Sequence, residues 1–135
     1  MKLLRIGKEG HEIPAIIDNN GKYRNLSSHI SDLNPDTINF ETLDFLKNIN
    51  LENLDEIDQK ERIGSCISKP GNFFAIGLNY IEHAKETGAK TPEYPVLFNK
   101  SVHCIVGPND NVVIPKGSKK LDHEVEIAFV IGKKA

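Results

Sequence analysis

Short apolar runs bounded by turn-forming residues limit what this chain can fold into more than any other feature. Such runs lie at 3–6, 15–17 and 73–76. The residues Asp-Asn-Asn-Gly at 18–21 are typical of a hairpin turn, so we expect the segment 22–26 to return as the next strand. The sequence therefore predicts a mainly β chain with few helices, in the α+β class.

The first helix is predicted where the spacing of apolar residues changes. Apolar side chains recur every three positions from Phe40 to Ile49, which predicts an amphipathic helix capped by Asp36 or Thr42. The apolar residues at 51–57 are expected to form a second short helix or a loop.

A shorter helix is predicted over residues 80–87. Asn79 and Glu82 have the spacing of a capping box, and Gly88 suits the left-handed residue that ends a helix. Further strands are expected at 94–98, 105–106 and 112–114.

The polar stretch 58–62 resembles a linker, and we place a domain boundary near residue 66. This gives a small N-terminal module over 1–66 and a second module over 67–135. The second module ends on a predicted buried strand that has no partner in view. We therefore expect residues 67–135 to be the first part of a larger, truncated domain.

Charge and hydropathy exclude several classes of partner. Lys and Arg number 17 and Asp and Glu 19, so the net charge of −2 argues against nucleic acid and anionic membranes as partners. No apolar run approaches the roughly 20 residues of a membrane helix, and no export segment is visible. Cys66 and Cys104 are expected to be free thiols in a reducing compartment. These features predict a soluble cytoplasmic protein.

Two carboxylates, Glu124 and Glu126, precede a wholly apolar run. On a strand their side chains share one face about 7 Å apart, at the entry to a buried element. Carboxylate oxygens in that setting suit Mg²⁺, Mn²⁺ or Ca²⁺. The alternative is a solvated edge strand with its acidic residues turned outward.

His83 and Glu86 lie three residues apart on the predicted short helix, so they share a face and can touch. A carboxylate beside an imidazole fixes its tautomer and raises its basicity, which is the arrangement of a general base. The alternative is an ordinary surface pair. Lys100, at the end of a predicted strand, could meet an anionic substrate or be exposed.

Four motifs together resemble the fumarylacetoacetate hydrolase family. They lie in the family's order at residues 75–88, 95–100, 107–110 and 122–134. The resemblance implies a rolled, multi-sheet β fold that assembles as a homodimer. Residues 1–66 resemble the small α+β region that precedes this fold in many bacterial members, some of them named ureidoglycolate lyase or 2-hydroxyhepta-2,4-diene-1,7-dioate isomerase.

The resemblance also implies a chemistry. Glu124 and Glu126 would supply two of three carboxylates on a divalent metal, commonly Mg²⁺, and the third would lie beyond residue 135. His83 and Glu86 match the pair that activates water or moves a proton, and Tyr80 and Lys100 match residues near the substrate. Family members act on 2-oxo or 2,4-dioxo acids such as acylpyruvates, cleaving a carbon–carbon bond or moving a proton through a metal-stabilised enolate.

Three alternatives remain open at the level of sequence. The chain could be an inactive fragment that keeps half of the metal site, or its parent could be a ureidoglycolate lyase. It could also bind a ligand without chemistry. His123 stands where the family usually has Trp or Tyr, and residues 101–104 depart from the family pattern, which leaves the specificity open.

Overall fold

The computed structural model describes residues 1–133, and in it the chain forms two compact units. Unit 1 consists of Met1–Ser68 together with the chain from Val106 onward, and unit 2 is Lys69–Ile105. Strands outnumber helices in the described part, which confirms the mainly β, α+β prediction. Residues 134 and 135, which close the predicted second module, lie outside the described residues. None of the described helices has the length and apolar character needed to cross a membrane.

Unit 1 contains a four-stranded antiparallel sheet in the order β1-β2-β3-β4. The strands are β1 (Lys2–Ile6), β2 (Ile13–Ile17), β3 (Tyr23–Asn25) and β4 (Glu56–Ile57). β2 is the most deeply buried of them, as expected for a strand with a neighbour on both sides. The first two strand predictions and the returning strand are therefore confirmed.

The hairpin between β2 and β3 is closed by one aspartate, as the turn sequence predicts. The Asp18 carboxylate accepts hydrogen bonds from the backbone N–H groups of Asn20 and Lys22, at 2.8 and 2.9 Å. Arg24 donates from Nε to the same carboxylate at 2.8 Å. Gly21 takes the left-handed backbone that the turn requires, with φ of 80°. The turn is thus specified by residues that are adjacent in sequence.

The hydrophobic core of unit 1 lies between this sheet and the first helix, α1 (Phe40–Asn48). Its buried members are Ile16, Leu26, Ile30, Leu33 and Leu46. The predicted helix is confirmed, but both predicted caps, Asp36 and Thr42, are wrong. Asn39 is the cap, because its backbone is extended and its side chain accepts from the N–H of Thr42 at 2.8 Å.

The chain after α1 resolves the choice left open at 51–57. Leu51–Asn53 forms one turn of 3-10 helix, and Ile57 belongs to β4. The predicted linker at 58–62 is wrong at its end, because Arg62 and Gly64 hydrogen-bond to the edge of the sheet. The N–H of Gly7 donates to the carbonyl of Arg62, and that of Gly64 to the carbonyl of Arg5.

Unit 2 pairs β5 (Phe73–Gly77) with β6 (Val96–Lys100) in antiparallel register, with α2 (Ile81–Glu86) between them in sequence. A 3-10 helix follows at Val102–Cys104. The apolar run at 73–76 forms the strand β5, but none of its residues is fully buried, and Phe74 and Ile76 are exposed on one face. The predicted strand at 105–106 does not form; Ile105 caps the 3-10 helix instead.

The short helix α2 begins later than its sequence predicts. Tyr80 is its N-cap and makes no side-chain capping hydrogen bond, so the cap lies one residue after Asn79, where the sequence predicts it. The prediction for Gly88 is confirmed, with φ of 67°.

The apolar run after Glu124 is the largest departure from the sequence expectation. Val125, Ile127 and Phe129 are 80%, 74% and 83% exposed, and residues 122–131 form no strand. The predicted extension at 112–114 forms none either. A strand needs a neighbour to satisfy its backbone groups, and no segment within 1–133 pairs with these residues.

Candidate active site

His83 and Glu86 lie on α2 within unit 2, as their spacing predicts. The Nδ1 of His83 is 3.9 Å from Oε2 of Glu86, and the two side chains are 53% and 79% exposed. At that distance the pair is an electrostatic contact and not yet a hydrogen bond. Both side chains are open to solvent on the surface of unit 2.

α2 also carries a second ion pair beside the first. Lys85 donates from Nζ to Oε1 of Glu82 at 2.8 Å, and both groups are largely exposed. Glu82 is thus engaged with Lys85, which leaves Glu86 as the carboxylate that faces His83.

Tyr80 and Lys100 are placed at the ends of two different elements of unit 2. Tyr80 immediately precedes α2 and is exposed, so its hydroxyl is accessible to a ligand. Lys100 ends β6, where it is half-buried, and its Nζ is 5.9 Å from the ring centroid of Phe98. An ammonium group at this distance from an aromatic face is attracted by the electrons of the ring.

Glu124 and Glu126 belong to unit 1 and are exposed, but the strand expected to align them does not form. Among the described residues, no group of three or more His, Cys, Asp or Glu side chains could hold a metal ion. The two glutamates are nevertheless the oxygen donors that a hard cation prefers.

A cluster of charged side chains in unit 1 was missed by the sequence analysis. The charged cluster consists of Arg5, Glu12, Asp32, Arg62 and Asp110. Glu12 lies at its centre, accepting from Arg5 Nη2 at 3.2 Å and from Arg62 Nη1 at 2.8 Å. Arg62 also holds Asp110 with two bonds, of 2.7 and 2.6 Å, and Arg5 holds Asp32 with bonds of 2.7 and 3.2 Å.

The arginines of the charged cluster hold its carboxyl groups in the ionised form. Burial raises the pKa of Glu12, but the hydrogen bond from Arg62 and the charges of both arginines outweigh it, so the net pKa is below the usual value. Burial likewise raises the pKa of Asp32, but the hydrogen bonds from Arg5 and Ser68 outweigh this effect, so the net pKa of Asp32 is lowered. The hydrogen bond from Arg62 lowers the pKa of Asp110. The hydrogen bonds that Arg62 donates to Asp110 and Glu12 raise the pKa of Arg62.

Three of the four ion pairs in this cluster join residues that are 27 to 50 positions apart, which is why no local pattern revealed them. The available signal was weak: an arginine inside the apolar run at 3–6, where a charge needs a partner. The cluster joins β1, through Arg5, and the residue before β2, Glu12, to the turn at 107–110, all within unit 1.

Comparison with protein families finds one match, and it covers the second part of the chain. Residues 72–135 match the model described as "Fumarylacetoacetate (FAA) hydrolase C-terminal". The match contains the six residues proposed above as site residues, from Tyr80 to Glu126.

Relatives of known sequence extend the similarity over nearly the whole chain. A protein of Burkholderia ambifaria named "Putative hydrolase" is 47% identical over 132 residues, which cover 98% of this chain and 47% of that protein. A protein from Burkholderia orbicola (strain MC0-3), also named as a putative hydrolase, is 46% identical over 134 residues, which cover 99% of this chain and 48% of that protein. The chain thus spans about half the length of the curated relatives it matches.

A solved structure shares the fold. The crystal structure of a protein from Mycobacterium smegmatis titled as a putative HpcE protein superposes with a TM-score of 0.70 at 28% identity. The match covers 87% of this chain and 42% of that one.

Proposed function

Since this chain belongs, through residues 72–135, to the fumarylacetoacetate hydrolase family, we propose that the protein is a metal-dependent hydrolase, lyase or isomerase of small oxo acids. Its substrates would be 2-oxo or 2,4-dioxo acids of the acylpyruvate type. The proposed catalytic module is 67–135, preceded by the small module 1–66. Family membership also supports a cytoplasmic homodimer whose partner is a small molecule.

The pair of His83 and Glu86 is the observation that carries the proposal. The imidazole of His83 is accessible to a substrate on the exposed face of a short helix, and the carboxylate of Glu86 lies in electrostatic contact with it at 3.9 Å. His83 would take a proton from water or from a carbon next to the oxo group, and Glu86 would stabilise the imidazolium that results.

The two glutamates fit a hard divalent cation. Glu124 and Glu126 are exposed, two residues apart, and offer only oxygen donors. Mg²⁺ keeps several waters beside its carboxylate ligands, and these two glutamates would supply two of the three carboxylates that the family resemblance implies. When bound, the cation would polarise the oxygens of an oxo acid as a Lewis acid.

Tyr80 and Lys100 are proposed as substrate-binding residues. The carboxylate of an oxo acid needs a cation or a hydroxyl donor, and these side chains supply one of each. Because Lys100 is half-buried at the end of β6, its side chain would lose less freedom on binding than that of a fully exposed lysine.

Replacement of the proposed base tests this function. In the longest form of the protein that its gene encodes, we expect His83→Ala to lower the rate of Mg²⁺-dependent acylpyruvate turnover by at least about 100-fold. His11→Ala is the matched control, because His11 is also exposed and lies outside the proposed site. Equal rates for the two variants, or turnover that is unaffected by removal of all divalent metal, would overturn the proposal.

A further inference from the structure

The turn between β5 and α2 contains a backbone conformation that leucine rarely adopts. Leu78 has φ of 52°, in the left-handed region where the Cβ of an L-residue crowds the following carbonyl oxygen. Within residues 1–133, Lys69 is the other non-glycine residue with positive φ, at 47°. A non-glycine residue held in this region persists only where the surrounding structure fixes it.

The neighbours of Leu78 could take this conformation with less strain. Gly77 precedes it and Asn79 follows it, and both residue types visit the left-handed region readily. The positive φ nevertheless falls on Leu78. Gly77 is instead paired with Val96 in the sheet, so its backbone is committed to the strand.

The turn sets the start of the helix that carries the proposed base. Tyr80 follows two residues later, and its carbonyl accepts from the N–H of Ala84 at 3.1 Å. The carbonyl of His83 accepts from the N–H of Thr87, also at 3.1 Å. Ala84 is buried, so α2 is anchored on one side while Tyr80 and His83 remain exposed. The φ of Leu78 therefore fixes the direction in which the chain enters α2.

We propose that Leu78 is a positioning residue, whose left-handed backbone aims Tyr80 and His83 at the substrate. The part of this inference that concerns the substrate rests on the proposed function. Its structural content stands on the backbone geometry of the β5–α2 turn alone.

Three variants of Leu78 distinguish an effect of its backbone conformation from an effect of its side chain. Gly and Asn tolerate the left-handed region, whereas the β-branched Val does not. We expect Leu78→Val to accelerate amide hydrogen exchange at Ala84 and Thr87 about tenfold, while Leu78→Gly and Leu78→Asn stay within about threefold. Lys69→Val is the matched control: it places the same side chain at a similar φ outside the site, and the amides of α2 should not respond.

Kinetics supply the readout that a purely structural role would not move. Leu78→Val should lower kcat with little change in KM, and Leu78→Asn should restore kcat. The inference is overturned if Leu78→Val leaves the α2 amides unchanged, if Gly and Asn accelerate exchange as much as Val, or if Lys69→Val does so equally. Exchange in β5 and β6, the sheet of the unit that contains Leu78, reports whether each variant is folded. Absence of turnover in the unsubstituted protein would count against the proposed function, and the exchange data would still decide the role of Leu78.

Discussion

Neutralising Glu12 should destabilise unit 1 far more than neutralising an equivalent carboxylate on its surface. The Glu12 side chain is 6% exposed and accepts hydrogen bonds from two arginines, one of which is 8% exposed. Glu12→Gln keeps the shape but offers one acceptor oxygen where there were two. One charged hydrogen bond is lost, about 1.5–3 kcal/mol, and the other becomes an ordinary bond that is weaker by about 1 kcal/mol. We expect a total of about 2.5–4 kcal/mol.

The assay is urea unfolding of the unsubstituted chain and two variants, followed by circular dichroism. With a denaturant slope of about 2 kcal/mol per molar, Glu12→Gln should lower the midpoint by roughly 1–2 M. Glu56→Gln is the matched control: its ion pair with Lys22 is equally short, at 2.7 Å, but both side chains are 48% exposed. Such a pair contributes less than about 1 kcal/mol. Equal midpoints for the two variants would refute the argument that burial makes the charged cluster important.

Three further predictions follow from the same structure. The pKa values of Glu12 and Asp32 are lowered in the folded state. The stability that these groups contribute is therefore fully present above their unfolded-state pKa values near 4, and it is lost as the pH falls through the lower folded-state values. Urea midpoints should decline from pH 7 to pH 3, and Glu12→Gln should make that decline smaller. Gly107→Ala should destabilise the chain by about 1–3 kcal/mol, since a Cβ there would meet the carbonyl oxygen of Ile63, whereas Gly71→Ala, in open space, should change the midpoint little. His83→Ala should leave the free energy of unfolding within about 0.5 kcal/mol of the original value, since its side chain is half exposed, even though turnover is lost.

Local features of the fold could be predicted from sequence because their causes are adjacent residues. The β2–β3 hairpin depends on Asp18 and the glycine three residues later, which sit in one turn. α1 was found from the spacing of its apolar side chains. Its cap was missed because Asp36, Asn39 and Thr42 are all suitable residue types, and the backbone geometry decides among them.

Features that depend on distant partners could not be predicted. The charged cluster brings Arg62 to Asp110, 48 residues away, and no short pattern encodes such a contact. The strand expected after Glu124 failed for a related reason. Its apolar sequence has the composition of a strand, but a strand exists only when another segment pairs with it, and none of residues 1–133 does.

The candidate site likewise contains one pair that could be predicted from neighbouring residues and one pair that depends on a distant partner. His83 and Glu86 meet because they are three residues apart on one helix, which sequence alone can establish. The shared face predicted for Glu124 and Glu126 required a strand, so their joint use of one metal ion remains a proposal.

Metal-dependent turnover tests the central claim most directly. Acylpyruvate cleavage should be measured against Mg²⁺ concentration in the unsubstituted protein, in Glu124→Gln and Glu126→Gln, and in the control Glu93→Gln, whose carboxylate is exposed outside the proposed site. The account predicts saturable Mg²⁺ dependence for the unsubstituted protein and the control, and at least about a tenfold higher half-saturating Mg²⁺ concentration for each of the other two. Turnover with the same Mg²⁺ dependence in all four proteins, or none at any Mg²⁺ concentration, would contradict it.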